Sequence, residues 1–421
     1  MTDVATEIAS TLASLLRDPE PPLAVRAWDG SAAGPPAAPA TMIFRSRQAL
    51  RRILWHPDEL GIARAYVSGE LDLEGDVFTI LELRERLAGG GEAPLTTRSK
   101  LSLGRSVMRL GGVGRDPAPP PEEAHVHGRK HSKSRDAKAI SHHYDVGNDF
   151  YRLVLGPSMT YSCAYWSDGA DGFDLADAQF AKHDLVCQKL ALAQGMRVLD
   201  VGCGWGSFLI HAAKNYGVSG VGVTLSREQA TYARKRVADE GVADLVEIRI
   251  QDYRDVNDGP YDAISSVGMA EHVGLAKLPE YTHKLFSLLR PEGRLLNHAI
   301  TRRPGKSEAL EGFMGRYVFP DGELQPIGTM TSAIEEAGFE VRDVQALREH
   351  YALTLRAWVR NLQERWDEAV SLSSEGRARV WLLYMAGSAI GFETNRLGVT
   401  QVLAVKPQAS GVAGIPLRPT W

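Results

Sequence analysis

The sequence predicts an α/β protein, with a parallel sheet flanked by helices in its C-terminal part and a smaller α+β domain before it. After about residue 139, apolar runs typical of buried strands alternate with helical patterns, as expected of a parallel sheet. A glycine-rich loop follows the first of these strands. From residue 116 to 138 the composition shifts to proline and then to basic residues. We therefore predict an N-terminal domain of residues 1–115, a linker of 116–138 and a catalytic domain of 139–421.

The N-terminal domain mixes helical and strand-like patterns. Helices are predicted in "ATEIASTLASLLRD", "SRQALRRILW" and "TILELRERL", and strands in "PLAVRAWDG" and "ATMIFRS". We find no catalytic constellation in this region. The pattern is typical of a small α+β domain.

The linker ends in a basic run, which consists of His127, Arg129, Lys130, His131, Lys133, Arg135 and Lys138. One interpretation is a solvated hinge between the domains. Another is a segment that docks on an anionic membrane surface, which attracts each nearby lysine or arginine by ~1 kcal/mol. The sequence leaves both interpretations open.

The elements of the catalytic domain follow one another along the chain. The first strand, helix and second strand are predicted in "RVLDVG", "GSFLIHAAKNYG" and "SGVGVTL", and a second helix in "SREQATYARKRVADEG". Further strands are predicted in "LVEIRIQD", "YDAISSVG" and "GRLLNHAIT". The C-terminal third adds helices in "TLRAWVRNLQERWDEAV" and "RARVWLLYMAGSAIGFETN", and a last strand in "TQVLAVK".

Composition excludes several classes of protein. A net charge of -4 argues against a protein that binds nucleic acid with its whole surface. The three cysteines, Cys163, Cys187 and Cys203, are too few and too scattered for a disulfide framework, and we predict no metal site. No secretory segment opens the chain, and no apolar run reaches the ~20 residues that cross a bilayer. We expect a cytoplasmic protein whose contact with a membrane is peripheral.

The loop "VLDVGCGWGSF" places glycines at Gly202, Gly204 and Gly206, whereas a dinucleotide fingerprint requires G-x-G-x-x-G. Ligands of a parallel sheet bind beyond the carboxyl ends of its strands. There Asp200 can orient an amine or a ribose, and Asp252 can accept from an adenine amino group. A dehydrogenase would carry an acid after the second strand, where this chain has Thr224. An NAD-dependent oxidoreductase is therefore the remote alternative.

The glycine loop together with "LRPEGRLL" resembles the class I S-adenosylmethionine-dependent methyltransferases, which have a Rossmann-like fold. Four further stretches, "HHYDVGNDFYRLVLGPSMTYSCAYW", "VGMAEHVG", "LLNHAIT" and "REHYALTLRAW", occur in an order that resembles cyclopropane-fatty-acyl-phospholipid synthases and their mycolic-acid-modifying relatives. The resemblance covers residues from about 139 to 407 and extends more weakly into the N-terminal domain.

The resemblance implies two sets of site residues. A bicarbonate ion beside the transferred methyl group is held in that family by residues that match Cys163, Glu271, His298, the backbone of Ile300, and Tyr351. The cofactor contacts match Tyr161, Ser162, Gly202, Gly204, Thr224, Leu225, Gln229 and, beside the adenine, Tyr253. Asp200, Gly206 and Asp252 complete the predicted cofactor site.

The implied reaction methylates a carbon-carbon double bond of an unsaturated acyl chain and passes through a carbocation. Ring closure gives a cyclopropane, whereas a hydride shift and proton loss give an exocyclic methylene. Stretches such as "GPSMTYSCA" and "YMAGSAIGFETN" are most similar to the actinobacterial branch that makes 10-methylene-stearate from oleoyl phospholipid, the precursor of 10-methylstearic (tuberculostearic) acid. Cyclopropane synthases usually carry phenylalanine at the position of Ala270, so this residue also favours the methylene-forming branch.

The resemblance also implies partners. In this branch a separate flavin-dependent oxidoreductase reduces the methylene, and members of the family commonly form homodimers. The phospholipid substrate would bring the protein to the inner face of the cell membrane. A lipid carrier without activity is a poorer interpretation, because all five residues implied to hold the ion are present.

Overall fold

The structure is a computed structural model, which describes residues 3–16, 21–56, 58–82, 104–105, 108–110, 114–124, 135, 146–167, 172–305, 310, 312–418 and 421. The chain forms two compact units. The first consists of Met1–Ala124, Glu311–Val318 and Ser374–Ile390, and the second of His125–Leu310, Phe319–Ser373 and Gly391–Trp421. The first unit thus includes two segments from the C-terminal part of the chain, which the predicted division at residues 115 and 138 assigns to the catalytic domain. The boundaries at residues 115 and 138 stay predictions.

The first unit contains a four-stranded sheet in the order β2-β1-β3-β4. Its strands are Ala24–Ala27 (β1), Ala32–Ala33 (β2), Ala40–Phe44 (β3) and Leu71–Gly75 (β4), and its N-terminal helices are Val4–Leu16 (α1), Arg47–Trp55 (α2) and Glu59–Val67 (α3). Alternate residues of β3 are buried in a core with α1 and α2. This confirms the predicted α+β fold, although residues 83–87 of the third predicted helix lie outside the described residues.

The second unit contains a seven-stranded sheet. Its strands are Arg197–Val201 (β5), Ser219–Thr224 (β6), Val246–Ile250 (β7), Tyr261–Val267 (β8), Leu289–Arg302 (β9), Glu340–Ala346 (β10) and Leu397–Val405 (β11). The further α-helices are Asn148–Leu155 (α4), Leu175–Lys189 (α5), Ser207–Tyr216 (α6), Arg227–Asp239 (α7), Ala270–Val273 (α8), Leu278–Leu288 (α9), Ile327–Glu336 (α10), Arg348–Glu364 (α11), Trp366–Leu372 (α12) and Glu375–Glu393 (α13), the last of which belongs mostly to the first unit. All strands predicted in the catalytic domain are confirmed.

The strand order is β10-β11-β9-β8-β5-β6-β7. Strands β5 to β9 are parallel, as predicted, but β11 runs antiparallel to both β9 and β10. An antiparallel strand at one side of a parallel sheet is common in α/β folds. Its direction brings the beginning of β11 to the edge where β9 ends. Strand β10 and helices α4, α5, α8, α9 and α10 were not predicted.

Helices cover both faces of this sheet. Helices α5 and α6 pack with Val198, Ala263 and Leu296 on one face. Helices α8, α9 and α10 pack against the other. Because side chains alternate along a strand, His298 lies on the same face as Leu296, under α5. Among the helices of the described residues, none is long and apolar enough to span a bilayer.

The predicted basic run lies outside the described residues except for Arg135. Its guanidinium forms an ion pair with Asp321, with NH2 at 2.7 Å from Oδ1. Both side chains are largely buried, so this arginine of the run is engaged within the protein.

Candidate active site

The glycine-rich loop joins β5 to α6 at the carboxyl edge of the sheet. The φ angles of Gly202, Gly204 and Gly206 are 80°, 53° and 77°, a region that favours glycine. A Cβ atom on Gly202 would lie 2.5 Å from the side chain of Met269. At Gly204, no heavy atom of the described residues would lie within 4 Å of a Cβ atom. The loop is therefore packed at Gly202 and open at Gly204, where a ligand can approach the backbone.

Cys203 and Trp205 fix this loop from two sides. Cys203 Sγ would lie 2.9 Å from a Cβ atom on Gly222 of β6, so the thiol packs closely on that strand. Trp205 Nε1 donates to Asn148 Oδ1 at 2.7 Å, and its ring lies 4.7 Å from the ring of Tyr151. The two side chains that interrupt the glycines thus attach the loop to β6 and α4.

Polar side chains follow β6 and β7 at the same edge. Thr224 Oγ1 donates to Gln229 Oε1 at 3.0 Å, so these two predicted cofactor residues are joined directly. Ser226 Oγ accepts from the backbone N–H of Gln229 at 3.2 Å and caps α7. Asp252 is paired with Arg254, whose Nε and NH2 donate at 2.8 and 2.6 Å. An adenine amino group at Asp252 would have to share the carboxylate with this arginine.

Two further residues that are predicted to contact the cofactor lie beside these groups. Leu225 follows β6 and is half-buried. Tyr253 is 9% exposed, and its ring stands edge-on to Tyr281 at 5.5 Å. Tyr253 therefore presents a fixed aromatic surface next to Asp252, as expected for a residue that lines an adenine site.

Helix α5 brings a buried lysine, Lys182, to this edge, which the sequence analysis missed. Its ammonium donates to Ser162 Oγ at 3.2 Å. Burial lowers the pKa of Lys182 to about 7, and the nearby Cys163 and Asp200 oppose this shift. Burial likewise raises the pKa of the Asp200 carboxyl to about 7. Lys182 thus orients one predicted cofactor residue and lies within electrostatic reach of another.

Cys163 is fully buried and lies beside the start of α11. Its thiol donates to the carbonyls of Ala164 at 3.2 Å and Leu347 at 3.6 Å. The backbone N–H of Tyr351 donates to the same Leu347 carbonyl at 3.1 Å, so Cys163 and Tyr351 meet there. Burial raises the pKa of the Cys163 thiol well above its usual range, and Lys182 offsets part of this shift. The residue is therefore a neutral hydrogen-bond donor.

Aromatic rings line the same region. The ring of Tyr351 lies 4.7 Å from Phe392 and 6.1 Å from Trp358. The ring of Tyr161 lies 5.5 Å from Trp358. Aromatic faces carry partial negative charge and attract cations. This group can therefore stabilise a positively charged ligand or intermediate in a buried site.

Glu271 and Ile300 are in direct contact. Glu271 Oε1 accepts from the backbone N–H of Ile300 at 2.7 Å, which joins α8 to the end of β9. The other oxygen, Oε2, is buried and has no hydrogen-bond partner in the described part of the chain. Burial raises the pKa of the Glu271 carboxyl to about 7, while the Ile300 N–H opposes the shift. The carboxyl group can thus exchange a proton near neutral pH.

His298 lies two residues before Ile300 on β9 and is 2% exposed. Within the described ranges, neither of its ring nitrogens has a hydrogen-bond partner. Burial lowers the pKa of His298 to about 3, and the cations Lys182 and Lys189 lower it further. His298 is therefore a neutral imidazole with one ring nitrogen that can donate and one that can accept a hydrogen bond.

The predicted residues thus fall into connected groups at one edge of the sheet. Cys163 and Tyr351 share a carbonyl, Glu271 and Ile300 share a hydrogen bond, and His298 stands on the same strand as Ile300. The electrostatic reach of Lys182 includes both Cys163 and His298. The role of each residue in binding stays a prediction.

Sequence comparisons identify related proteins. The family described as mycolic acid cyclopropane synthetase matches residues 131–402. A "probable fatty acid methyltransferase" of Mycobacterium tuberculosis is 45% identical over 95% of this chain and 95% of its own. The cyclopropane-fatty-acyl-phospholipid synthase of Escherichia coli is 34% identical over 89% of this chain and 90% of its own. A tuberculostearic acid methyltransferase of M. tuberculosis is 35% identical over 90% and 87%.

A solved structure is also similar. A mycolic acid cyclopropane synthase complexed with SAH and CTAB has a TM-score of 0.60 and is 34% identical, over 64% of this chain and 97% of its own. The fold of the second unit is therefore that of the S-adenosylmethionine-dependent methyltransferases, as predicted, and S-adenosylmethionine is the cofactor that this fold takes.

Proposed function

Since the chain belongs to the mycolic acid cyclopropane synthetase family, we propose that it transfers a methyl group from S-adenosylmethionine to the cis double bond of an oleoyl chain in a membrane phospholipid. The observation that carries the proposal is the buried polar group at the end of β9. Glu271 Oε2 and both ring nitrogens of His298 have no hydrogen-bond partner within the described ranges. Each such atom costs about 1–3 kcal/mol of stability. A polar ligand that binds Glu271 Oε2 and a ring nitrogen of His298 would remove much of this cost.

A bicarbonate ion suits these residues. The imidazole N–H of His298 can donate to an anion, and so can a protonated Glu271, whose pKa is raised to about 7. The Cys163 thiol would have to turn away from the carbonyls of Ala164 and Leu347 to do the same. Tyr351 is predicted to contribute its hydroxyl. The N–H of Ile300 already donates to Glu271, so it would reach the ion only if that carboxyl group turned. Bicarbonate bound here would supply the base that accepts a proton from the substrate.

The protein itself contributes position and electrostatics. A carbon-carbon double bond is a weak nucleophile, so it must be held against the methyl donor with water excluded. The rings of Tyr161, Tyr351 and Trp358 can stabilise the carbocation that follows methyl transfer. The open backbone at Gly204 and the pair Thr224–Gln229 would hold the donor, which supplies the electrophilic methyl group.

We favour the methylene-forming outcome, which gives a 10-methylene-stearoyl lipid. Ala270 begins α8, directly before Glu271, and its methyl group is buried. A small side chain at this point leaves the cation more room relative to the base than phenylalanine would. Cyclopropane formation is the second candidate, and it is favoured by the 34% identity to a cyclopropane-fatty-acyl-phospholipid synthase.

The proposal extends to location and partners. A phospholipid substrate would bring the protein to the inner face of the cell membrane, where the N-terminal domain of residues 1–115 and the basic run would dock on anionic headgroups. A flavin-dependent reductase would then act on the methylene. A salt-sensitive binding assay with oleoyl-phosphatidylglycerol liposomes tests the docking, and binding that is independent of salt would favour apolar docking instead.

The decisive experiment incubates the purified protein with S-adenosylmethionine and oleoyl-phosphatidylglycerol liposomes and locates the added carbon by mass spectrometry. A methylene-branched chain is expected. A cyclopropane chain would replace the proposed product and leave the cofactor and site in place. Tight binding of S-adenosylhomocysteine without any lipid product would refute the proposal that oleoyl phospholipid is the substrate. Glu271→Gln should lose activity, whereas the matched variant Glu280→Gln, on the exposed side of α9, should keep it.

A further inference from the structure

Three polar residues on neighbouring strands form a row across the sheet, next to the candidate active site. In the registers of β9, β11 and β10, His298 lies directly opposite Gln401, and Gln401 lies directly opposite Gln345. Side chains of directly opposite residues in antiparallel strands leave the same face of the sheet with Cβ atoms about 4.5–5.5 Å apart. The three side chains are therefore neighbours on the face that α5 covers.

The middle of this row is buried and unsatisfied. Gln401 is 0% exposed, and neither its amide oxygen nor its amide nitrogen has a hydrogen-bond partner among the residues that the structure describes. The same holds for the ring nitrogens of His298. Two adjacent side chains thus carry four buried polar atoms, each costing about 1–3 kcal/mol if it stays unpaired. A direct bond between the amide and the ring would satisfy two of them.

Lys189 sets the direction of hydrogen bonding in the row. Its side chain is fully buried, and its ammonium lies 2.6 Å from Gln345 Oε1 and 2.8 Å from Asp343 Oδ2. An ammonium group can only donate, so Gln345 must present its amide oxygen to Lys189. The N–H groups of Gln345 are then directed towards other acceptors, and the oxygen of Gln401 is an acceptor in the adjacent position.

We propose that Gln401 is a positioning residue, which fixes the tautomer of His298 by donating to the ring nitrogen that faces β11. A rotation of the two amides, which form no mutual hydrogen bond in the described geometry, would let Gln345 donate to Gln401 Oε1 and would turn the amide nitrogen of Gln401 towards His298. The ring nitrogen that accepts from it carries no proton, and the proton lies on the other nitrogen. That N–H then points away from β11 as a permanent donor.

The consequence for the active site rests on the proposed function, because it concerns the anion. A neutral imidazole can present either a lone pair or an N–H group to its ligand. The N–H group stabilises the negatively charged oxygens of bicarbonate, whereas a lone pair could accept only from its hydroxyl group. The row from Lys189 to Gln401 would keep His298 in the anion-binding tautomer without charging it. Loss of the outer hydrogen-bond partner of a metal-ligating histidine typically costs about 10–100-fold in affinity or activity, and we expect a loss of up to this size for the anion at His298.

The experiment measures the tautomer directly. Two-bond proton–nitrogen correlation spectra of protein labelled with nitrogen-15 histidine distinguish protonated from unprotonated ring nitrogens, and His298→Gln identifies the His298 signals. We expect one fixed tautomer in the unaltered protein. In Gln401→Met, which keeps the length of the side chain but cannot donate, the two ring shifts should move towards each other. Gln345→Met should have the same effect by removing the donor to Gln401.

The control is Gln325→Met, since Gln325 is also buried and has an amide nitrogen without a partner in the described ranges. It should leave the His298 tautomer unchanged. Unchanged shifts of His298 in folded Gln401→Met and Gln345→Met would overturn the inference. The readout requires no lipid, so a tautomer change in a protein without lipid product would reject the proposed function and keep the inference. Binding of S-adenosylhomocysteine should be equal in all variants.

Discussion

The carboxylate of Glu271 accepts a hydrogen bond of 2.7 Å from the backbone N–H of Ile300. This contact ties the short helix α8 to the end of β9 and places a buried acid at Ile300, two residues after His298 on the strand. One backbone N–H compensates only part of the desolvation of a carboxylate, and therefore the pKa of Glu271 is raised to about 7 rather than lowered. The carboxyl group of Glu271 can therefore gain or lose a proton near neutral pH, and its ionised form destabilises the folded protein.

Glu271→Gln should stabilise the protein at alkaline pH. The unfolded chain loses the Glu271 proton near its ordinary pKa of 4.5, whereas the folded protein holds it to about 7. Wild-type stability therefore falls as pH rises from 4.5 to about 7 and stays lower above that range. A shift of this size corresponds to ~3 kcal/mol. Urea unfolding at about pH 8 should show the variant to be more stable by up to this amount, and the advantage should disappear near pH 4.5.

The control for this measurement is Glu280→Gln, because Glu280 is a half-exposed surface residue that pairs with Lys277. Its effect on the free energy of unfolding should be small at both pH values. Asp200 and Lys182 also titrate near neutral pH, but both are present in each protein and cancel in the difference. A Glu271→Gln effect that is equal at low and high pH would contradict the raised pKa.

Gly204→Ala should weaken cofactor binding beyond its effect on stability. Both Gly204 and Gly195 have positive φ angles, 53° and 83°, and at neither would a Cβ atom meet a heavy atom of the described residues within 4 Å. An alanine at either position should therefore cost about 1–2 kcal/mol of stability through backbone strain. Only Gly204 lies in the predicted cofactor loop. Calorimetry should show a loss of affinity for S-adenosylhomocysteine of tenfold or more, about 1.4 kcal/mol, in Gly204→Ala alone.

If both alanine variants bind S-adenosylhomocysteine as tightly as the unaltered protein does, Gly204 is not part of the cofactor site. Parallel loss in both would point to a general loosening of the fold. The melting temperatures provide the control. The two substitutions should lower the melting temperature by similar amounts, so a loss of affinity in Gly204→Ala alone cannot result from lower stability.

Cys163→Ser should keep measurable activity. The raised pKa of Cys163 leaves a neutral thiol, which is a poor nucleophile, and its hydrogen bond to the Leu347 carbonyl can be made by a serine hydroxyl. The loss in kcat should be less than about tenfold, since one weak donor is replaced by another. The native protein should also resist alkylation at Cys163. Complete loss of activity with intact binding of S-adenosylhomocysteine would favour a covalent role instead.

The glycine loop and the strands around it could be predicted because their signals are local. Residues such as Val198 and Leu199 form a short apolar run, and Gly202 and Gly204 mark the turn that follows. Strand β11 was also predicted, but its direction was not, because the apolar sequence of a buried strand is similar in parallel and antiparallel pairs. The antiparallel pairing of β11 depends on tertiary packing, and it is this pairing that sets Gln401 opposite His298.

Helix α5 was missed for a related reason. It buries Gln179, Lys182, His183 and Lys189, residue types that are usually exposed, so its sequence lacks a clear apolar stripe. A buried lysine is tolerated only because of partners from distant parts of the chain, such as Ser162 and Asp343. These pairings cannot be read from spacing along the helix. The buried polar residues of α5 beside the candidate site could therefore not be predicted from the sequence. The residues that the family resemblance implies to contact the ligands could be predicted.

The side chain at Ala270 should influence which product forms. Ala270 is 3% exposed and belongs to the core that α8 and α9 build against the sheet, directly before Glu271 in the chain. A phenylalanine there adds a ring where the base site begins and restricts the positions open to the carbocation. Ala270→Phe should raise the cyclopropane fraction, and Ala270→Leu should raise it less. Overpacking should cost about 1–3 kcal/mol of stability. The ratio of cyclopropane to methylene lipid, measured by mass spectrometry, is independent of how much protein is folded. A ratio that stays constant from alanine to phenylalanine would show that the choice of product is made elsewhere in the site.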